Sequence, residues 1–262
     1  MKPITTIFFA ALLIVGCKHE PKTIDYSEEP LDITTSVYPE TISKIFDAHG
    51  GIDQWNSMQG LYFEIPREDF VEKQNLNLKN RKSRIDYKHH VLGFDGENVW
   101  LKNLDTVTYK SNPRFYYNLM SYFYAMPFIL GDDGINYEER PNLEVDGKTY
   151  PGMLISYEAG IGESPEDEYI IYYDPETFEM KWLAYTVTFF TKEKAKKFSL
   201  IKYAEWEDVD GLKLPKTLQW HHYQDGVVGD RRNELNFTNS KLSMIAPDDR
   251  IFEVAEGAVI AQ

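Results

Sequence analysis

Five Asp-Gly dipeptides constrain the fold of this chain more than any other feature. They are Asp95-Gly96, Asp133-Gly134, Asp146-Gly147, Asp210-Gly211 and Asp225-Gly226. Both residues of such a pair tolerate positive φ, which a two-residue hairpin turn requires. The runs around them alternate apolar and polar residues, as in Leu61, Phe63 and Ile65 against Tyr62 and Glu64. In a strand that period places every apolar side chain on one face. The pattern turns to β from Gln59 onward, with strands predicted at 82–87, 90–94, 98–103, 106–109, 150–158, 168–174, 178–190, 197–207, 212–223 and 231–238. Many short strands joined by tight turns imply an antiparallel meander. An aromatic content of 15% suits its pleated, half-buried surfaces.

Two segments follow a helical period instead. Ile42, Ile45, Phe46 and His49 share one face, after Pro39 in the first turn and before Gly50-Gly51 as a stop. Asn112-Pro113 reads as a cap and first helical residue, and Pro127 ends the run that follows. In that run Phe115, Leu119, Tyr122 and Met126 share a face, while Tyr116, Tyr117, Phe123 and Tyr124 cover much of the rest. A helix apolar nearly all round is normally enclosed. It is expected either inside the curved sheet or as a mobile aromatic lid.

The N-terminus reads as an export signal. Lys2 precedes an apolar stretch, Ile4 to Val15, that is shorter than the ~20 residues a spanning helix needs. The stretch ends Leu13-Ile14-Val15-Gly16-Cys17, which resembles the bacterial lipobox. Residues 1–16 are therefore expected to be a cleaved signal, and Cys17 the site of lipid attachment. Residues 18–35, with two prolines and five acidic residues, read as a tether. Residues 36–262 are expected to form a single domain. Lys18-His19-Glu20 partly resembles a surface-export signal of Bacteroidota-type lipoproteins, with His19 departing from it. The expected location is the cell envelope, lipid-anchored at the outer membrane, with the face left open.

The formal charge is −14, with 28 basic and 42 acidic residues. Nucleic acid is excluded as a partner, since that binding rests on basic groups neutralising phosphate. Bulk acidity also disfavours anionic lipid as an electrostatic partner. Cys17 is the only cysteine, so no disulfide forms within the chain. His89-His90 and His221-His222, with His49, are candidate metal ligands. Neighbouring strand residues point to opposite faces, so each pair can offer one ring to a shared site, and no HExxH or HxH spacing accompanies them. Asp208-Val209-Asp210-Gly211 lacks the later ligands of a calcium loop and reads as a hairpin turn. Gly160-Ile161-Gly162-Glu163-Ser164 matches neither a phosphate loop nor a nucleophile elbow and reads as a mobile loop. No cofactor and no catalytic residue are assigned.

Three further segments carry a family resemblance. They are Phe46-Asp47-Ala48-His49-Gly50-Gly51-Ile52-Asp53-Gln54-Trp55, Tyr173-Asp174-Pro175-Glu176-Thr177, and Glu205 through Pro215 with its Val209-Asp210-Gly211 core. Together they resemble uncharacterised exported bacterial lipoproteins with a periplasmic lipoprotein-carrier-like (LolA-like) fold. The resemblance implies a mainly β (α+β) domain, a curved antiparallel half-barrel sheet wrapped over a few helices. In carriers of that fold the concave face holds acyl chains. Trp100, Phe115, Tyr122, Trp182, Tyr185 and Phe189 are the aromatic candidates for lining such a cavity here. The expected function is non-catalytic binding of a lipid or other apolar ligand at the membrane. The alternatives are an envelope hydrolase, metal-assisted in one version, and a surface interaction module.

Overall fold

The structure, a computed structural model, describes residues 37–158, 164 and 166–261. Cys17, the leader, the tether and most of the 160–164 loop lie outside the described residues.

Alternation and turns build two open, curved antiparallel sheets of seven strands each. The first contains β1 (Gly60–Pro66), β2 (Val71–Asn77), β3 (Ser83–Asp86), β4 (His90–Phe94), β5 (Val99–Asn103), β13 (Thr238–Ser243) and β14 (Val259–Ile260). Their order is β13-β1-β2-β3-β4-β5-β14. The second contains β6 (Ile135–Val145), β7 (Lys148–Tyr157), β8 (Tyr169–Tyr173), β9 (Met180–Tyr185), β10 (Ser199–Val209), β11 (Leu212–Gln224) and β12 (Val227–Asn236). These run in reverse sequence order, β12 to β6. The chain passes between sheets at Phe237, which is buried and donates its N–H to Lys216 O at 2.9 Å.

Three of the Asp-Gly pairs make the hairpins that the sequence predicts. Asp146-Gly147, Asp210-Gly211 and Asp225-Gly226 have positive φ at both positions and join β6–β7, β10–β11 and β11–β12. Two strand predictions fail for local reasons. Residues 106–109 form no strand, because Asp105 Oδ1 captures Val107 N at 2.8 Å and the His90 ring bonds Val107 O at 2.8 Å. The run at 178–190 stops at Tyr185, because Thr186 and Thr188 turn to bond Glu168 and Asp167. Three strands were missed, β6, β13 and β14; of these β6 is a largely exposed edge whose register shifts between Arg140 and Leu143, across Pro141. Exposed edges with proline lose the alternation that marks a half-buried strand.

The helices lie in the concavity of the sheets. α1 (Glu40–Ala48) buries Ile42, Ile45 and Phe46. α2 (Ile52–Ser57) stacks Trp55 on Phe128 with centroids 5.0 Å apart. The aromatic segment is broken where one helix was expected. It forms α3 (Pro113–Tyr116), α4 (Leu119–Tyr124) and a 3-10 turn at Phe128–Gly131. Asn112 caps it, accepting from Phe115 N at 3.2 Å. Its inner face carries Phe123, Tyr124, Met126 and Leu130, all essentially inaccessible and all in the main core. The enclosed reading of this segment is therefore the structure, not the mobile lid. Tyr203 Oη donates to Phe123 O at 2.8 Å, tying the segment to β10.

The three motif segments are structural, and two of them meet. Gly50 has φ +107°, and a Cβ there would stand 2.3 Å from Gly211 O. Lys213 N donates to His49 O at 2.8 Å and Gln54 to Asp210 O at 2.5 Å. The helix end thus sits directly on the β10–β11 hairpin. In the third, Asp174 Oδ1 accepts from the backbone N–H of Glu176 and Thr177, each at 3.0 Å.

Candidate functional site

Between the β1–β2 face, the α3–α4 segment and β7–β8 lies a cavity of about 590 Å³. Its apolar wall comes from alternating positions of two strands and the aromatic segment. Leu61 and Leu76 face inward from β1 and β2, with Leu78 just beyond. Opposite them stand Phe115, Leu119, Tyr122 and Phe123, with Ile129 below. Tyr157 and Tyr169 close the β7–β8 side. Tyr122 packs on Tyr169 at 5.1 Å and Tyr169 on Tyr157 at 6.0 Å.

Polar groups also line it, including the buried Ser83 and Ser121. Arg81 donates to both oxygens of Asp132, each at 2.6 Å. Arg114, Asp133 and Asp167 also line the cavity. Asp167 accepts from Thr188 N at 2.6 Å. Burial raises the Asp167 carboxyl above the ordinary carboxylate range, and its bonds to Thr188 partly offset this. Burial, and then the nearby Asp167 charge, raises Tyr157 above the usual tyrosine value. The hydroxyls of Tyr122 and Tyr157 are buried and have no hydrogen-bond partner. Among the described residues no His or Cys lines the cavity.

Of the six aromatic candidates, Phe115, Tyr122 and Phe189 come together on the cavity wall. The other three lie elsewhere. Trp100 pairs across the strands with Gly93, where a Cβ would stand 2.2 Å from its ring, and its indole donates to Phe252 O at 3.0 Å. Trp182 belongs to a separate cluster with Leu143, Tyr172 and Leu200. β9 residues alternate faces, so Leu183 reaches the main core while Trp182 and Ala184 do not. Tyr185 is half-buried, packs on Phe123 at 5.0 Å and accepts from Trp220 Nε1 at 3.1 Å. Leu61, Leu76, Tyr157, Tyr169 and Asp167 went unrecognised as cavity residues. Their strand alternation was legible, but not which face was hollow.

The candidate histidines converge on no common site, and His49, His89, His90 and His221 are each engaged locally. His49 Nδ1 donates to Ile45 O at 2.7 Å, its ring packs on Trp206 at 4.5 Å, and burial lowers its pKa to about 4. His89 bonds Asp105 at 2.5 Å, His90 bonds Val107 O, and His221 bonds Gly229 O at 2.9 Å. Among the described residues no three His, Cys, Asp or Glu side chains converge as metal ligands. No helix among them is long and apolar enough to cross a membrane.

Solved structures similar to this chain include a DUF1329 family protein from Desulfovibrio piger, at 15% identity and TM-score 0.48. The match covers 82% of this chain and 98% of that one. A LolA superfamily protein from Nitrosomonas europaea is similar at 11% identity and TM-score 0.46, with 83% and 98% covered. A putative outer membrane lipoprotein-sorting protein domain from Vibrio parahaemolyticus is similar at 8% identity and TM-score 0.39, with 78% and 96% covered. No curated protein matches this chain. Residues 82–214, from β3 through the β10–β11 hairpin, match a sequence family of unknown function, DUF6503.

Proposed function

The chain belongs to the DUF6503 family of unknown function, and from that premise we propose that it is a non-catalytic binding protein of the cell envelope. Its ligand is an amphiphile with an acyl-type tail. The observation that carries this reading is the cavity between the sheets and the aromatic segment. Its volume of about 590 Å³ falls within the ~300–1,000 Å³ of small-molecule sites. Its wall is mainly leucine and aromatic, with Arg81, Arg114, Asp132, Asp133 and Asp167 as its charged groups, as suits a chain with one polar end. Each methylene transferred from water into such a wall contributes ~0.8 kcal/mol, so eight give about 6 kcal/mol before the cost of immobilisation. Tyr122 and Tyr157 bring phenol groups to an apolar surface. Cys17 is the proposed lipid attachment site, and the anchor would hold the domain at the membrane that supplies the ligand.

Native mass spectrometry of the purified full chain, followed by solvent extraction, tests this reading. Recovery of a stoichiometric lipid, with saturable binding of a fluorescent fatty-acyl probe, is expected. Leu119→Trp, which projects an indole into the cavity, should weaken probe binding at least tenfold while the fold is kept. A chain that carries no lipid and binds no acyl probe overturns the reading.

A further inference from the structure

The connection from β9 to β10, residues 186–198, is a basic and partly apolar segment of an acidic chain. It carries Lys192, Lys194, Lys196 and Lys197 against the single acid Glu193. All four lysines are exposed. Just ahead of them Phe190 is 66% exposed and Val187 39% exposed. An exposed phenylalanine beside a lysine cluster is the composition of a surface that meets lipid headgroups, the ring entering the interface while the ammonium groups meet phosphate.

The geometry holds this connection at the cavity. Phe190 packs on Phe115 at 5.1 Å and on Phe189 at 5.1 Å, and both partners line the cavity. The base of the connection is pinned. Thr188 N donates to Asp167 at 2.6 Å, Thr186 N donates to Glu168 O at 3.0 Å, and Lys192 N closes a turn onto Thr188 O at 2.7 Å. The Lys192 ammonium stands 4.4 Å from the centre of the Phe189 ring. Lys194 reaches Glu168 at a loose 3.4 Å.

From this arrangement we propose that the 186–198 connection is a contact surface for an anionic lipid bilayer, with Phe190 and Val187 entering the interface and the lysines bound to headgroup phosphates. The acidity of the rest of the chain orients the approach, because the remaining surface is repelled by the same bilayer. Contact there brings the aromatic lip of the cavity to the membrane. The inference does not depend on what fills the cavity, since neither Phe190 nor any of the lysines lines it.

Vesicle flotation of the full chain tests the proposal. Vesicles of phosphatidylcholine alone are compared with vesicles that also contain phosphatidylglycerol, at low and high salt. Replacing the lysines leaves any lipid anchor or leader unchanged, so the variant's difference from the wild-type chain isolates the loop. The wild-type chain should partition about tenfold more strongly onto the anionic vesicles, and salt should abolish the difference. Replacing all four lysines with glutamine should remove it, and Phe190→Ser should reduce it. Affinity for a soluble acyl probe, measured on the same variants, should stay unchanged, which confirms that they fold. Equal partitioning onto both compositions overturns the proposal, and so does an undiminished preference in the lysine variant. Equal partitioning is the outcome expected if the lysines instead meet an acidic protein. If vesicle preference holds while acyl-probe binding fails, the bilayer contact stands and the cavity reading falls.

Discussion

His49 gives the sharpest prediction about stability. Its ring is fully buried between α1, Trp206 and Phe128, and burial lowers its pKa from 6.5 to about 4. In the folded chain the neutral ring is therefore favoured, with the proton on Nδ1 donated to Ile45 O. The unfolded chain takes up a proton near pH 6.5, whereas the folded chain resists until about pH 4. Stability from this group is thus complete above pH 6.5 and is lost as pH falls toward 4. A shift of that size corresponds to about 3 kcal/mol in full, at 1.36 kcal/mol per unit. About 2 kcal/mol of it is already lost by about pH 5. Carboxylates also titrate in this range, so the comparison is with His49→Phe, which keeps the apolar packing and removes the titration. Urea unfolding of both chains between about pH 7 and pH 4.5 measures the difference, from midpoints at constant slope. The wild-type chain should lose about 2 kcal/mol more than the variant. Parallel pH profiles would refute the reasoning, because they would mean that the ring is hydrated or already paired when charged.

Other perturbations test the fold and the anchor. Glu72 is 1% exposed, accepts from Arg67 at 2.6 Å and Gln74 at 2.6 Å, and bonds Tyr116, so Glu72→Ala strands these donors. It should cost about 3 kcal/mol in denaturant unfolding and loosen the α3 end of the cavity wall. Gly50→Ala should cost more than about 2 kcal/mol, since both its φ and the 2.3 Å approach to Gly211 O forbid a Cβ. Gly51→Ala, with φ +94° but open space around it, should cost only the backbone strain, as paired thermal melts will show. Cys17→Ser should abolish metabolic fatty-acid labelling and leave the domain's far-UV spectrum unchanged.

The legible part of the fold was the part written in short-range chemistry. Asp210-Gly211 announced its hairpin because positive φ at two successive positions has few other uses, and Ile42, Ile45 and Phe46 announced α1 by spacing alone. β6 stayed hidden because most of its side chains are exposed and Pro141 interrupts its pairing. The break between α3 and α4 stayed hidden because the 113–126 run contains no internal glycine or proline, and packing inside the sheets sets the chain direction there. At the candidate site, aromatic content was visible but aim was not. Phe115 and Trp182 look alike as sequence, yet one lines the cavity from α3 and the other packs in a separate cluster, on the face of β9 that its strand parity gives it. Asp167 could not be singled out among 42 acidic residues, because only the fold brings it to Thr188 and the cavity wall.

The central claim is that the space between the sheets and the aromatic segment receives an acyl chain. A crystal structure of the protein grown with a long-chain amphiphile tests it most directly. Continuous tubular density should run between Leu61 and Leu76 on one side and Phe115, Tyr122 and Tyr169 on the other, with its polar end toward the Arg81–Asp132 pair. A cavity holding only ordered water, or closed by Leu119 and Phe123 collapsing onto β1 and β2, would contradict it.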